Sequence, residues 1–234
     1  MKKKIVVLSG AGVSAESGVA TFRDADGLWE GHDVMEVATP EGFAKNPALV
    51  LDFYNQRRRQ LFDVQPNSAH KIIAELETNF DVTVITQNVD DLHERGGSKQ
   101  IIHLHGELLK ARCTVDEHTV IEWAGDIVLG QKHPDTGRQL RPHIVWFGEA
   151  VPAIADAAIY VEQADYIIVI GTSMQVYPAA GLIDYAKRNA KIFYIDPNPA
   201  SVSGFNNEIE IIKMRASEGM QIVRDKLNNI AEHN

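Results

Sequence analysis

The stretch from Lys4 to Asp24, KIVVLSGAGVSAESGVATFRD, constrains this chain most. Ile5, Val6, Val7 and Leu8 form an unbroken apolar run, the pattern of a strand buried on both faces of a parallel sheet. The run breaks at Ser9 into Gly10-Ala11-Gly12, after which Ser14 and Ala15 open a predicted helix. Glycine permits a tight turn and lets phosphate oxygens reach bare backbone, and a helix N-terminus offers unpaired N–H groups to a pyrophosphate. Gly10-x-Gly12-x-x-Ala15 therefore has the arrangement of a dinucleotide-binding loop. An ordinary strand-to-helix turn carries the same letters, so the loop alone does not decide.

The rest of the chain supplies the context. Its 234 residues suffice for one α/β unit with a small inserted lobe. The net charge of −9 argues against nucleic acid as a general partner. No apolar run is long enough to span a bilayer. Lys2-Lys3-Lys4 is followed by too short an apolar run for a signal peptide, and Cys113 is the only cysteine. Both fit a cytoplasmic protein. The acidic surface, with no large apolar patch evident, leads us to expect a monomer without nucleic-acid or membrane partners.

Further strands are predicted at 82–86, 101–104, 142–147, 166–170 and 191–195. Helices are predicted over 41–64 with a break at Pro47, from Ser68 to about Thr78, and over 153–163, 179–189 and 217–231. Residues 107–141 lack a clear period and read as part of a lobe, together with about 31–66. Polar or glycine-rich segments follow three of the apolar runs: Gly10-Ala11-Gly12, Gln87-Asn88-Val89-Asp90 and Gly171-Thr172-Ser173. A doubly wound sheet gathers such strand ends at one edge, where ligands bind. The predicted fold is therefore α/β, a Rossmann-like doubly wound parallel sheet with a smaller lobe formed by insertions. Thr21-Phe22-Arg23-Asp24 stands where a dehydrogenase would begin its second strand, which counts against simple hydride transfer.

GAGVSAESGVATFRD, TQNVDDLH, HLHGEL, RPHIVWFGE and IGTS resemble, in order and near spacing, the sirtuin family of NAD-dependent protein deacylases. The resemblance runs from Lys4 to about Leu227. It implies cleavage of the nicotinamide–ribose bond and transfer of an acyl group from a protein lysine, giving free lysine, nicotinamide and O-acyl-ADP-ribose. It places His105 as general base, with Asn88 and Asp90 as further catalytic residues. His103, two residues before His105, would face the opposite side and be structural. The resemblance assigns cofactor contacts to Gly10, Ala11, Gly12, Ser14, Ala15, Glu16, Thr21, Phe22, Arg23, Gln87, Asn88, Asp90 and His105. Nearer the adenosine it assigns Gly171, Thr172, Ser173, Asp196 and Ala216. Asp196 stands where the family often has asparagine, although a carboxylate also accepts hydrogen bonds from ribose hydroxyls.

The segment from His143 to Glu149, HIVWFGE, with Val145, Trp146, Phe147 and Gly148 as its substrate contacts, resembles the one that pairs with substrate peptide as an added strand; a buried core strand is the other reading. Tyr54 and Arg57, three apart on a predicted helix, are similar to the pair found in sirtuins that remove succinyl and malonyl groups. The competing reading makes Arg57-Arg58-Arg59 a solvated basic face. Many sirtuins hold zinc with two cysteine pairs. Here Cys113 stands alone, and His118 and His133 complete no defensible site, so zinc is expected to be absent. The expected activity is removal of acyl groups, succinyl and malonyl above acetyl, from protein lysines with NAD. ADP-ribosyl transfer to protein is the alternative reaction, and a non-catalytic NAD sensor a third reading.

Overall fold

The computed structural model describes residues 2–20, 28–29, 31–200 and 207–232. The chain starts in the middle of its main sheet with β1 (Lys4–Ser9). A hairpin of β2 (Leu28–Trp29) and β3 (His32–Asp33) leads into α1 (Val34–Val37), α2 (Pro40–Lys45) and α3 (Pro47–Asp63). Proline opens both α2 and α3, where its missing N–H costs nothing, and the side chains of Thr39 and Asn46 cap their first turns. Next come α4 (Ser68–Glu75), β4 (Asp81–Thr86), α5 (Leu92–Gly96) and β5 (Ile101–His103). A second small sheet contains β6 (Gly106–Cys113), β7 (Ile121–Glu122) and β8 (Leu140–Ile144). The chain then returns through α6 (Ile154–Gln163), β9 (Tyr166–Ile170), β10 (Lys191–Ile195), β11 (Ile209–Ile212) and α7 (Ala216–Glu232).

The six main strands are all parallel, in the order β11-β10-β9-β1-β4-β5. From β1 the chain builds outward to β5, then crosses back to build outward from β9. Strand order therefore reverses between β1 and β9, the switch point at which open α/β sheets form their crevice. The apolar run at the start explains why both sheet faces are covered. Ile5 and Val7 pack under α4 and α7, whereas Val6 and Leu8 pack under α6 and the 3-10 segment Ala179–Tyr185.

The lobe comprises α1 to α3 against β6 to β8. Its core joins Phe53, Tyr54 and Leu61 of α3 to Leu108, Ile144 and Trp146, with a second cluster of Leu51, Ala111, Ile127 and Leu140. Polar bridges tie the same parts. Buried Arg58 donates to the Leu108 carbonyl at 2.7 Å and to Asn55 Oδ1 at 2.8 Å. Asn55 also exchanges two hydrogen bonds with the backbone of Ile127. Arg59 forks onto Asp126, and Glu149 receives both Arg141 and Arg112. The three consecutive arginines thus have three environments, and only Arg59 is exposed. Cys113 is buried, with its thiol 3.6 Å from the Asp116 carbonyl.

Several local expectations need correction. No α-helix follows Gly12; the loop makes two 3-10 turns, Ala11–Val13 and Ala15–Ser17, ended by left-handed Gly18. Residues 179–189 likewise form only a 3-10 segment, Ala179–Tyr185. The 142–147 strand is instead Leu140–Ile144, since the chain turns at Glu149, whose side chain accepts the Trp146 N–H. The strand at Ile209–Ile212 escaped the sequence reading, because its Ile-Glu-Ile-Ile is short and half-exposed.

The β1 and β9 loops touch backbone to backbone. Gly12 N donates to Gly171 O at 2.8 Å, and a Cβ on Gly12 would lie 2.7 Å from Gly171 Cα. Gly171 itself has φ +61 and meets the backbone of Gly12 and Val13. We expect Gly171→Ala to lose at least about 2 kcal/mol of stability in urea unfolding, through left-handed strain and collision together. The comparison is Gly125→Ala, where a Cβ meets open space, which should stay within about 0.5 kcal/mol of the parent.

Candidate active site

The carboxyl edge of the main sheet opens into a cleft of about 280 Å³ between the sheet and the lobe. Three loops meet there. Gly10, Ala11 and Gly12 come from β1, Gln87, Asn88 and Asp90 from β4, and Gly171, Thr172 and Ser173 from β9. The lobe contributes Tyr54, Val145, Trp146, Phe147 and Gly148, and His105 lies between the two sides. Gln87 Nε2 donates to Thr172 Oγ1 at 3.1 Å, tying the β4 end to the β9 loop across β1.

Each polar group is held by a partner behind it. His105 Nδ1 lies 3.0 Å from the Gln87 carbonyl. A carbonyl only accepts, so Nδ1 carries the proton and Nε2 is left as an acceptor. Burial lowers the pKa of His105, against the opposing pull of that carbonyl, and keeps the ring neutral near pH 7. Asp90 is buried and accepts from Ser14 Oγ at 2.9 Å and Leu92 N at 3.1 Å. Burial raises its pKa to about 6, although both hydrogen bonds favour the ionised form. Since Ser14 gives its proton to Asp90, its oxygen accepts from Asn88 Nδ2 at 3.0 Å.

His103 faces the other way, as alternation along a strand requires. Its Nδ1 bonds the Asn88 carbonyl at 3.1 Å and its Nε2 lies 2.7 Å from Glu94 Oε1. Burial opposes its charge, but the Glu94 carboxylate outweighs this and the pKa rises. Glu94, His103 and Glu107 place three ligand-type atoms close together outside the cleft. Lys110 bonds Glu107 at 2.8 Å and His103 bonds Glu94, so both carboxylates already have partners.

Other candidate residues lie elsewhere. Ser14 sits behind the cleft wall, Ala15 is exposed, and Glu16 Oε2 accepts the Ser217 N–H at the start of α7. Asp196 is buried at the end of β10, where it accepts from Asn198 N, and Ala216 is buried at the start of α7. Thr21, Phe22 and Arg23 lie outside the described residues. Tyr54 is buried among Trp29, Phe53 and Trp146 and accepts from Trp146 Nε1 at 3.0 Å. Arg57 is half-buried, 4.6 Å from the Phe53 ring, close enough to favour the ionised form of the Tyr54 phenol; burial nevertheless dominates and raises that pKa.

Backbone donors in the 145–147 segment are already used. Val145 N bonds the His105 carbonyl, Trp146 N bonds Glu149, and Phe147 N bonds the Ala38 carbonyl. Phe147 and Gly148 remain exposed at the cleft mouth. Sequence reasoning missed Trp29, Ala38, Val176 and Tyr177 in the lining. It also gave no role to Glu149, although that residue closes the HIVWFGE motif.

A doubly wound parallel sheet whose switch-point loops combine bare glycine backbone with an amide, a carboxylate and a neutral imidazole defines an enzyme of the nucleotide-binding α/β class. The comparisons narrow this. The Sir2 family profile matches residues 10–178. A Helicobacter pylori protein named NAD-dependent protein deacylase is 57% identical over 229 residues, covering 98% of this chain and 99% of its own. A Bacteroides thetaiotaomicron protein of the same name is 53% identical over 231 residues, covering 96% of this chain and 98% of its own. A Sir2 homologue solved in complex with NAD has a TM-score of 0.87 at 41% identity, covering 98% of this chain and 91% of its own. The chain belongs to the Sir2 family.

Proposed function

We propose that this chain removes acyl groups from protein lysines in an NAD-dependent reaction and prefers acidic acyl groups, succinyl and malonyl, to acetyl. The deacylase activity follows from family membership and from relatives of that name aligned over nearly the whole chain. The single observation behind the catalytic reading is the bare, neutral Nε2 of His105 in a cleft walled by both glycine loops.

The residues fit the cofactor. Glycine backbone at Gly10, Gly12 and Gly171 leaves room for phosphate oxygens, and Gln87, Asn88 and Asp90 offer donors and acceptors suited to a ribose and a carboxamide. NAD, when bound, supplies the nicotinamide–ribose bond that breaks and the ribose that carries the acyl group away. His105 Nε2 acts as general base on a ribose hydroxyl. Asn88 and Asp90, fixed through Ser14, orient that ribose. Thr21, Phe22 and Arg23, outside the described residues, are assigned to the cofactor by the family resemblance alone, and Asp196 and Ala216 serve its adenosine end. The target peptide lies along Phe147 and Gly148, using backbone groups other than the three N–H groups already bonded.

Tyr54 and Arg57 meet the distal carboxylate of the acyl group. A hydrogen bond to a charged group contributes about 1.5–3 kcal/mol net, or roughly a tenfold to hundredfold preference. The lobe is held by its apolar clusters and by the Glu149 and Asn55 bridges, without zinc. The acidic net charge and single cysteine fit a cytoplasmic monomer acting on protein lysines rather than nucleic acid or membrane.

Four outcomes test this. Matched succinyl-, malonyl- and acetyl-lysine peptides, followed by mass loss and nicotinamide release, should show the two acidic acyl groups removed faster; acetyl removed much faster than succinyl refutes the role of Tyr54 and Arg57. His105→Ala should lower turnover by about 100-fold or more. In the parent, kcat/KM should rise with pH as the base loses its proton, with the midpoint of that limb below the ordinary histidine value, since burial lowers the His105 pKa; a midpoint above that value contradicts the assignment. Metal analysis of the purified protein should find no stoichiometric zinc.

A further inference from the structure

Trp146 is buried, and its indole nitrogen lies 3.0 Å from the Tyr54 hydroxyl oxygen. An indole N–H can donate and cannot accept, so the phenol oxygen is the acceptor in this bond. Tyr54 keeps one proton of its own, and among the described residues no second group bonds that hydroxyl. The residue is itself buried and lines the cleft. We propose that Trp146 is a positioning residue that fixes the polarity of the Tyr54 hydroxyl, so that its proton points into the cleft as a donor to the carboxylate end of an acidic acyl group.

The assignment rests on the acidic-acyl reading above and adds the reason a neutral phenol would discriminate. A carboxylate only accepts hydrogen bonds, so it is favoured by a hydroxyl presenting its proton and disfavoured by one presenting a lone pair. Were the group facing Tyr54 from the lobe a carbonyl, the phenol would give its proton to the lobe and turn its oxygen to the substrate. The indole excludes that arrangement. It cannot readily swing away either. The Arg141 guanidinium lies 3.3 Å from the Trp146 ring centroid and Phe43 packs 5.2 Å from it. Glu149 holds both the Trp146 N–H, at 2.8 Å, and Arg141, at 2.6 and 3.1 Å.

The test compares the parent, Trp146→Phe, Tyr54→Phe and the double variant on succinyl- and acetyl-lysine peptides of one sequence at saturating NAD. Trp146→Phe should lower the succinyl-to-acetyl ratio of kcat/KM by at least about fivefold, consistent with weakening a hydrogen bond to a charged group. The loss should fall on the KM for the succinyl peptide, whereas general damage would scale kcat for both peptides alike. With Tyr54→Phe already present, Trp146→Phe should no longer change the ratio. Should Trp146→Phe fold poorly, Trp146→benzothienylalanine replaces the N–H with sulfur at nearly constant shape and should give the same drop. A ratio unchanged in the single variant, or an equal drop without the Tyr54 hydroxyl, overturns the assignment. A parent that shows no preference for succinyl over acetyl defeats the acidic-acyl reading itself, and this assignment with it.

Discussion

The site depends on how closely two backbones approach at the switch point of the sheet. β1 and β9 are neighbours in register, so their carboxyl ends release two loops into the same space. That space has no room for a Cβ at Gly10, Gly12 or Gly171. The glycines therefore have two functions with one cause. They allow the loops to interlock, and they leave this part of the cleft wall free of side chains. A side chain at any of them would push the loops apart and fill space that the cleft now keeps open. The constraint reaches β4 through the Gln87–Thr172 hydrogen bond, so three strand ends share one geometry.

The sheet was legible in the sequence because buried parallel strands are rich in apolar and β-branched residues, as 4–9, 81–86, 166–170 and 191–195 are, the first, third and fourth with unbroken runs of four or five apolar residues. The convergence of their ends was legible for the same reason. What escaped were features set by neighbours. Ser14-Ala15-Glu16 has the letters of a helix start, yet Ser14 is used by Asp90 and Asn88 and Glu16 by α7, so the turn tightens to 3-10. The arginine run at 57–59 could not be divided by pattern. Arg58 is buried because the Leu108 carbonyl and Asn55, distant and near in sequence, both wait for its donors. Cys113 is the only cysteine in the sequence, which says nothing of what ties the lobe together. Only the structure shows the Arg112–Glu149–Arg141 bridge and the Asn55–Ile127 exchange between its parts.

His103 and His105 show how backbone acceptors sort chemically identical side chains. Both rings present Nδ1 to a carbonyl of the same β4 extension, so both have the same nitrogen protonated. The difference lies at Nε2. In His103 it meets the Glu94 carboxylate, which favours the imidazolium. In His105 it meets the cleft, and burial without a carboxylate favours the neutral ring. One residue of separation therefore divides a satisfied histidine whose charged form is favoured from a neutral one with a lone pair to use. Spacing alone predicted the division of faces; the opposed pKa shifts come from what each face contains.

The acyl end of the cleft follows a different logic from the cofactor end. Tyr54 and Trp146 belong to the lobe's hydrophobic core, packed with Phe53, Leu61 and Ile144. The residues to which we assign acyl selectivity therefore also hold the fold. Exchanging Tyr54 for a smaller side chain would open a cavity as well as remove a hydroxyl, and such core truncations commonly cost several kcal/mol. The cofactor end has no such coupling beyond its glycines, because its polar groups stand on loops braced by hydrogen bonds. The proposed acyl preference is thus better probed by shape-preserving changes than by large ones. Phenylalanine at position 54 keeps the packing and deletes only the donor, so it isolates the chemistry from the core that supports it.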